Sequence, residues 1–199
     1  YAYLIGTDGQ IKKIDADTDS VIFTAQLNKT SYIQSGETSI TADKVNNNLF
    51  VVSGRLTPSI YVYDLKTLAF KKDLGLKSGN PDVGLLVSPD GKQLFIRWFD
   101  SKENGWFFDL FDAKNLTEIR NLGEFTWESM TTFASDGSRV FVYDNANKKI
   151  KIYETINFSM LDFIDLNTVW RKDVFAQGIL DWGNEKIVIA EDVKVRASD

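Results

Sequence analysis

Short apolar runs recur along this chain at a nearly constant interval. Leu4-Ile5, Leu49-Phe50-Val51-Val52, Leu94-Phe95-Ile96, Val140-Phe141-Val142 and Ile187-Val188-Ile189 begin 45, 45, 46 and 47 residues apart. Within each run successive residues are apolar, not alternate ones, which predicts short strands buried on both faces. No stretch keeps a helical period of apolar positions over a dozen residues.

The residues around each run complete a repeating unit. Residues 83–112 show it most clearly, as strand, tight turn, strand, loop, strand. Ser88-Pro89-Asp90-Gly91 and Ser135-Asp136-Gly137 precede the two middle runs. Proline presets the first central position of a type I turn and glycine suits its end. Asn46-Asn47-Asn48 and Gly183-Asn184-Glu185 hold the matching positions in other copies. A third strand then ends on an acid, at Asp15, Asp64, Asp112 or Glu154, with Thr18, Thr67, Asn115 or Asn157 three residues on. Short polar side chains there bond to nearby backbone and favour a hairpin. A fourth strand follows. The expected fold is all-β: a β-propeller of four-stranded antiparallel blades of about 45 residues. The blade segments are 1–26, 38–72, 83–120, 129–166 and 174–199, within a single propeller domain or part of one over 1–199. A β-sandwich is the alternative, but it needs no such period.

The SPDG turn followed by KQLFI, and SDGSRVFVY followed by IKIYE, resemble the bacterial YVTN-type and WD-repeat-like propellers. The first copy, GTDGQIKKIDADTDSVIFTAQL, resembles a blade of the quinoprotein-dehydrogenase-like propellers. The resemblance covers nearly the whole chain and implies the fold. It implies a spread of roles: surface-layer proteins, scaffolds, lectin-like binders and redox enzyme subunits. The Gly-His and Trp-Asp dipeptides of WD repeats are missing. So is the tryptophan-bearing docking motif of the quinone enzymes, of whose threonine-glycine pair only Thr18 is present. The chain opens in a second strand and closes near a third, so a fragment of a longer, seven-bladed ring is expected. A five-bladed ring and closure by a partner chain are the alternatives.

Composition narrows the chemistry. With 199 residues the chain can bury a substantial core, and 43% hydrophobic with 13% aromatic residues argues against disorder. The net charge is −5 with acids and bases interspersed, so nucleic acid is a poor partner and no basic stripe would track phosphates. No apolar run reaches the length of a membrane helix, and membrane insertion is not expected. There is no cysteine and no histidine, which removes thiolate and imidazole metal sites, thiol nucleophiles and a histidine base from these residues. Asp15-Ala16-Asp17-Thr18-Asp19 superficially suggests a calcium loop. Ser20 and Gln26 stand where an EF-hand needs glycine and glutamate, so a solvated turn is the better reading.

Two groups of residues are candidates for function. Glu37, Asp82, Glu128 and Asp173 each stand just before a predicted first strand, 45, 46 and 45 residues apart. In a propeller that strand lines the central channel, so these acids are expected on one rim. Like charges held close raise one another's pKa or recruit a cation, and oxygen ligands favour calcium. The simpler reading is that each acid caps its own loop or pairs with a neighbour such as Arg171. The second group lies on loops expected to share one face: Arg55, Trp98, Trp106, Trp127, Trp170 and Arg171. Tryptophan and arginine are what interface hot spots use. Packing between blades is the simpler reading for any one tryptophan. The expected function is a non-catalytic binding or scaffold module for a protein or carbohydrate, with no cofactor beyond calcium on the rim. The alternatives are a fragment of a propeller enzyme (quinone-type dehydrogenase, lactonase or hydrolase) and a surface-layer or adhesive module. Self-association or docking to further blades is expected. The setting that fits the resemblance is periplasmic or extracellular.

Overall fold

The computed structural model describes residues 1–6, 9–26, 40–53, 59–75, 83–100, 102–125, 130–144, 147–166, 176–183 and 186–191, with backbone alone at 53, 123–125, 130, 176–183 and 186–191. All seventeen elements among them are strands. The chain falls into two compact units, Tyr1–Phe125 and Thr126–Asp199. The first unit holds three sheets. One is β1 (Ala2–Ile5), β2 (Gln10–Ile14) and β3 (Val21–Gln26). The second is β4 (Ile40–Asp43), β5 (Asn48–Ser53), β6 (Ser59–Asp64) and β7 (Phe70–Asp73). The third is β8 (Gly84–Val87), β9 (Gln93–Asp100), β10 (Gly105–Asp112) and β11 (Thr117–Phe125). The second unit holds β12 (Met130–Phe133), β13 (Arg139–Asp144), β14 (Lys149–Glu154) and β15 (Met160–Asp165), then the pair β16 (Ala176–Gly183) and β17 (Lys186–Glu191). Every sheet is an antiparallel meander in chain order. The sheets are numbered below as the first to fifth blades.

Burial on both faces follows from how the blades stack. In β5, Leu49 and Val51 join Tyr61, Tyr63 and Ile11 in one core that reaches the first blade. Their neighbours Phe50 and Val52 join Ile60, Val62, Leu94, Ile96 and Trp98 in a second core that reaches the third blade. Successive side chains of a strand point to opposite faces, so a strand with apolar residues at every position serves two interfaces at once. These four apolar residues of β5 are fully buried. Each stabilises the fold by about 2 kcal/mol on burial. In the second unit Phe141, Tyr143, Ile150 and Leu166 form a core on one face of the fourth blade.

Polar bonds fix the stacking. The Tyr3 hydroxyl donates to the Leu65 carbonyl at 2.8 Å and Lys13 Nζ to the Lys66 carbonyl at 3.2 Å, tying the first blade to the second. Asn46 Nδ2 donates to the Gly91 carbonyl at 2.6 Å, tying the second to the third.

The third-to-fourth-strand hairpins repeat in detail. Asp15 Oδ1 accepts the N–H groups of Asp17 and Thr18, Asp64 Oδ1 those of Lys66 and Thr67, and Asp112 Oδ1 those of Lys114 and Asn115. The fourth residue after each acid is left-handed: Asp19, Leu68, Leu116 and, after Glu154, Phe158, with φ of 54, 55, 58 and 54°. Leucine and phenylalanine are unusual there. Packing offsets the strain, since Leu68 is buried in the core shared with the first blade and Phe158 stacks on Tyr153 with ring centroids 4.5 Å apart. Asp15 to Asp19 is thus one of these hairpins, as its alignment with the other copies predicts.

One register differs from the apolar pattern. Leu49 pairs with Tyr63, which precedes the hairpin acid Asp64, and Leu94 and Val140 hold the same place opposite Phe111 and Tyr153. In the first blade that place belongs to Ala2, opposite Ile14, and not to Leu4. The first two copies are therefore offset by two residues from the 45-residue alignment.

Asp64 also titrates unusually. Burial works to raise its pKa, but the Thr67 N–H and hydroxyl, the Lys71 ammonium and the Lys66 N–H outweigh that and lower it to about 2, from an ordinary 3.8. A depressed carboxylate adds stability above the unfolded pKa and loses it as pH falls through the folded value. D64A is expected to lose about 1 kcal/mol at neutral pH. That difference closes as the pH falls from 4 towards 2, in urea melts of both proteins across the range. An unchanged gap at pH 2 contradicts the assignment.

Candidate functional site

The acids expected on the channel rim, Glu37, Asp82, Glu128 and Asp173, lie outside the described residues, as do Arg55, Trp127, Trp170 and Arg171. What is described is the set of strands those acids precede. Ile40, Gly84, Met130 and Ala176 open β4, β8, β12 and β16, each the first strand of its sheet. Within the first unit β4 lies beside β8, and within the second β12 lies beside β16. Among the described residues no three acids gather into a cation site.

Trp98 and Trp106 are described, and the structure places them away from the expected loop. β9 and β10 are eight residues long, against six in β5 and β6, so most of the apparent loop insert is added ladder. Trp98 pairs with Phe107, and Phe99 with Trp106. The hairpin turns over residues 102–104, where Asp100 Oδ1 accepts the Lys102 N–H at 2.8 Å and Asn104 is left-handed. Alternation then sends the two tryptophans to opposite faces. Trp98 stacks on Phe107, centroids 5.2 Å apart, and is 6% exposed. Trp106 packs against Phe99 at 5.3 Å, carries the Arg97 guanidinium 4.8 Å above its ring, and is 5% exposed. Both indoles are therefore packed away from solvent, Trp98 in the core shared with the second blade. Gly84 permits the Arg97 placement, because a Cβ there would sit 3.3 Å from Nε.

The polar centre of this blade lies outside both groups of candidate residues. Asp109 is 4% exposed, on the same face as Trp98. Its Oδ2 accepts the indole N–H of Trp98 at 2.8 Å and its Oδ1 the Asn121 amide at 2.7 Å. The fourth blade puts different chemistry at the same strand positions. Lys151, three residues before the hairpin acid as Asp109 is, meets Asp144 at 2.8 Å. Burial pushes the Asp144 carboxyl up, but its bonds from Lys151 and from the amide and N–H of Asn147 win, and its pKa is lowered. The Asp144 carboxylate in turn raises the pKa of Lys151. In the second blade the third residue before the hairpin acid is Tyr61, buried in the apolar core. The available signal was an acid or base inside an otherwise apolar strand, as in WFFDLFD and KIKIYE.

The first unit also has a cleft of about 160 Å³ between the β4–β5 and β8–β9 turns, lined by residues 42–45 and 87–89. It is too small for an organic ligand, whose pockets run from about 300 Å³. Its acid, Asp43, is occupied by the Val45 and Asn46 N–H groups and by Asn46 Nδ2.

No family model matches the chain. No curated protein matches it either. Among solved structures, the β-propeller domain of Myceliophteria thermophila Cps50 (Swd1) superposes with a TM-score of 0.56 at 14% identity, over 82% of this chain and 50% of that one. Likeness at that identity concerns fold, and it agrees with the sheets: the chain is a β-propeller of four-stranded antiparallel blades. It spans half the length of the propeller domain it matches.

Proposed function

We propose that the chain is part of a protein-binding scaffold propeller of the YVTN-type, WD-repeat-like kind. Further blades complete its ring, and its setting is periplasmic or extracellular. The observation that carries the protein-binding reading is an exposed apolar fourth strand in each of the two units. Val21, Ile22, Phe23, Met160, Leu161, Phe163 and Ile164 are each 41 to 58% exposed and all lie on the fourth strands β3 and β15. Apolar side chains left together at a surface mark protein contacts. Sugar binding draws on exposed aromatic faces, and the two described candidates for that role, Trp98 and Trp106, are buried. The half-length match to a propeller domain supports a larger ring. The test pans the purified protein against a displayed peptide library and probes it in parallel on a glycan array. Enriched peptides with saturable affinity are expected. Saturable glycan binding without any peptide would overturn the reading.

A further inference from the structure

We propose that Asn104 is a self-modification site: the Gly105 nitrogen attacks its side-chain amide, and the left-handed turn at Asn104 is the latch that sets how often this happens.

Asn104–Gly105 is the only asparagine–glycine pair in the sequence. Glycine has no Cβ to crowd its own nitrogen, so that nitrogen reaches a preceding side chain more easily than any other residue's would. The other described asparagines are occupied. Asn46, Asn115 and Asn121 donate their amides to Asp43, Asp112 and Asp109, and Asn157 Oδ1 accepts the Ser159 N–H. Asn104 is exposed and, among the described residues, is the one asparagine whose side chain holds no hydrogen bond. Asp90 and Asp136 also precede glycine, but a carboxylate is a poor electrophile, and each is held by the N–H two residues on.

The step is an intramolecular acyl transfer. Hydroxide takes the Gly105 amide proton, the nitrogen bonds to Asn104 Cγ, and the Cγ–NH2 bond breaks to release ammonia. The product is a five-membered succinimide. Water opens that ring at one carbonyl to give aspartate, or at the other to give isoaspartate, whose main chain runs through Cβ. The closed turn opposes ring formation. At φ 51° Asn104 is left-handed, and the ψ of that region places its Cβ nearly anti to the Gly105 nitrogen, whereas the ring needs the two eclipsed. Gly105 is also buried, opposite Asp100 in the ladder. The reaction therefore waits for the turn to open. Asp100 holds it closed, its Oδ1 accepting the Lys102 and Glu103 N–H groups at 2.8 and 3.4 Å. The third-to-fourth-strand hairpins carry a further guard on the nitrogen equivalent to that of Gly105: Thr67 Oγ1 accepts the Ala69 N–H and Asn157 Oδ1 the Ser159 N–H. Glu103 stands at that place here, and its side chain makes no such bond. Conversion to isoaspartate lengthens the turn by one backbone atom and adds a carboxylate beside Asp100 and Glu103, in the hairpin whose strands carry Trp98 and Trp106.

The test incubates the purified protein in mildly alkaline buffer, folded and in urea, and follows each asparagine by digestion and mass spectrometry. Asn104 is expected to convert first in the folded protein, to a mixture of aspartate and isoaspartate, and faster in urea. D100A should raise the folded-state rate about fivefold, the effect of losing one hydrogen bond of the turn, and leave the urea rate unchanged. Glu103→Thr supplies the hydroxyl that guards the equivalent nitrogen in the second blade. It lies at an exposed position and should slow the folded-state rate alone. G105A should slow conversion in both conditions. Another asparagine converting first in the folded protein, or a G105A rate equal to the parent's, overturns the site. Equal folded and urea rates, or a folded-state rate unchanged in either D100A or Glu103→Thr, overturn the latch.

Discussion

Gly91→Ala is expected to destabilise the protein by about 3 kcal/mol, lowering Tm by about 10 °C. Gly91 ends the Ser88–Gly91 turn at φ 68°, and an alanine Cβ there would lie 2.5 Å from Val45 Cβ and 3.1 Å from Asn46 Nδ2. Neither neighbour can retreat cheaply. Val45 Cβ is fixed by its own backbone, and Asn46 Nδ2 is held by the Gly91 carbonyl and by Asp43 Oδ2. Left-handed backbone alone costs alanine about 1 kcal/mol, and the forced separation of the two turns about 2 more. Gly75 separates the two contributions. It has φ 64° and nothing within 4 Å of its would-be Cβ, so G75A should lose only the backbone part. If thermal melts show G91A no worse than G75A, the close approach of the second and third blades at this turn is wrong.

That turn also shows what the sequence could and could not reveal. The glycine and proline of SPDG announce a turn through their own backbone preferences, which are local. That the turn docks on Asn46 of the preceding blade depends on a contact between residues 45 apart, which no local preference carries. The blade count along the chain was legible because successive apolar residues can be satisfied only by strands packed on both faces. The register of β1 was not. A slip of one residue turns every side chain to the wrong face, but a slip of two leaves the faces unchanged, so the apolar pattern accepts Ala2 or Leu4 opposite Ile14 equally. Pairing decides it: Ala2 stands opposite Ile14 and Ile5 opposite Ile11.

The candidate site was less legible for a related reason. Tryptophan near a loop reads alike whether it faces solvent or a neighbouring sheet. The deciding fact for Trp98 lies eleven residues on, at Asp109, which offers its indole a buried acceptor. An exposed binding tryptophan has no need of one. The outer strand MLDFID was read only as the fourth strand of its blade. Its apolar residues match those of buried strands, and only the sheet order shows that they face outwards.

Asp109→Ala is expected to cost about 3 kcal/mol, because it removes the acceptor of a buried donor and leaves a gap in a packed face. Asn121 is exposed and can turn its amide to water, but the Trp98 N–H, behind Phe107 and the core shared with the second blade, cannot. Trp98→Phe should cost about as much, since it leaves a buried carboxylate with one partner fewer. Replacing both ends at once removes the unpaired groups instead of creating them. W98F/D109L should therefore fall well short of the sum of W98F and D109L, with a coupling of about 2 kcal/mol in urea melts. Additive losses would mean the indole and carboxylate stabilise the blade independently. The binding experiments add a second discrimination. If Trp98 serves only to seat Asp109, W98F/D109L binds the library peptides as the parent does; a selective loss of binding in a stable double variant would return Trp98 to the ligand face where its position in the sequence first put it.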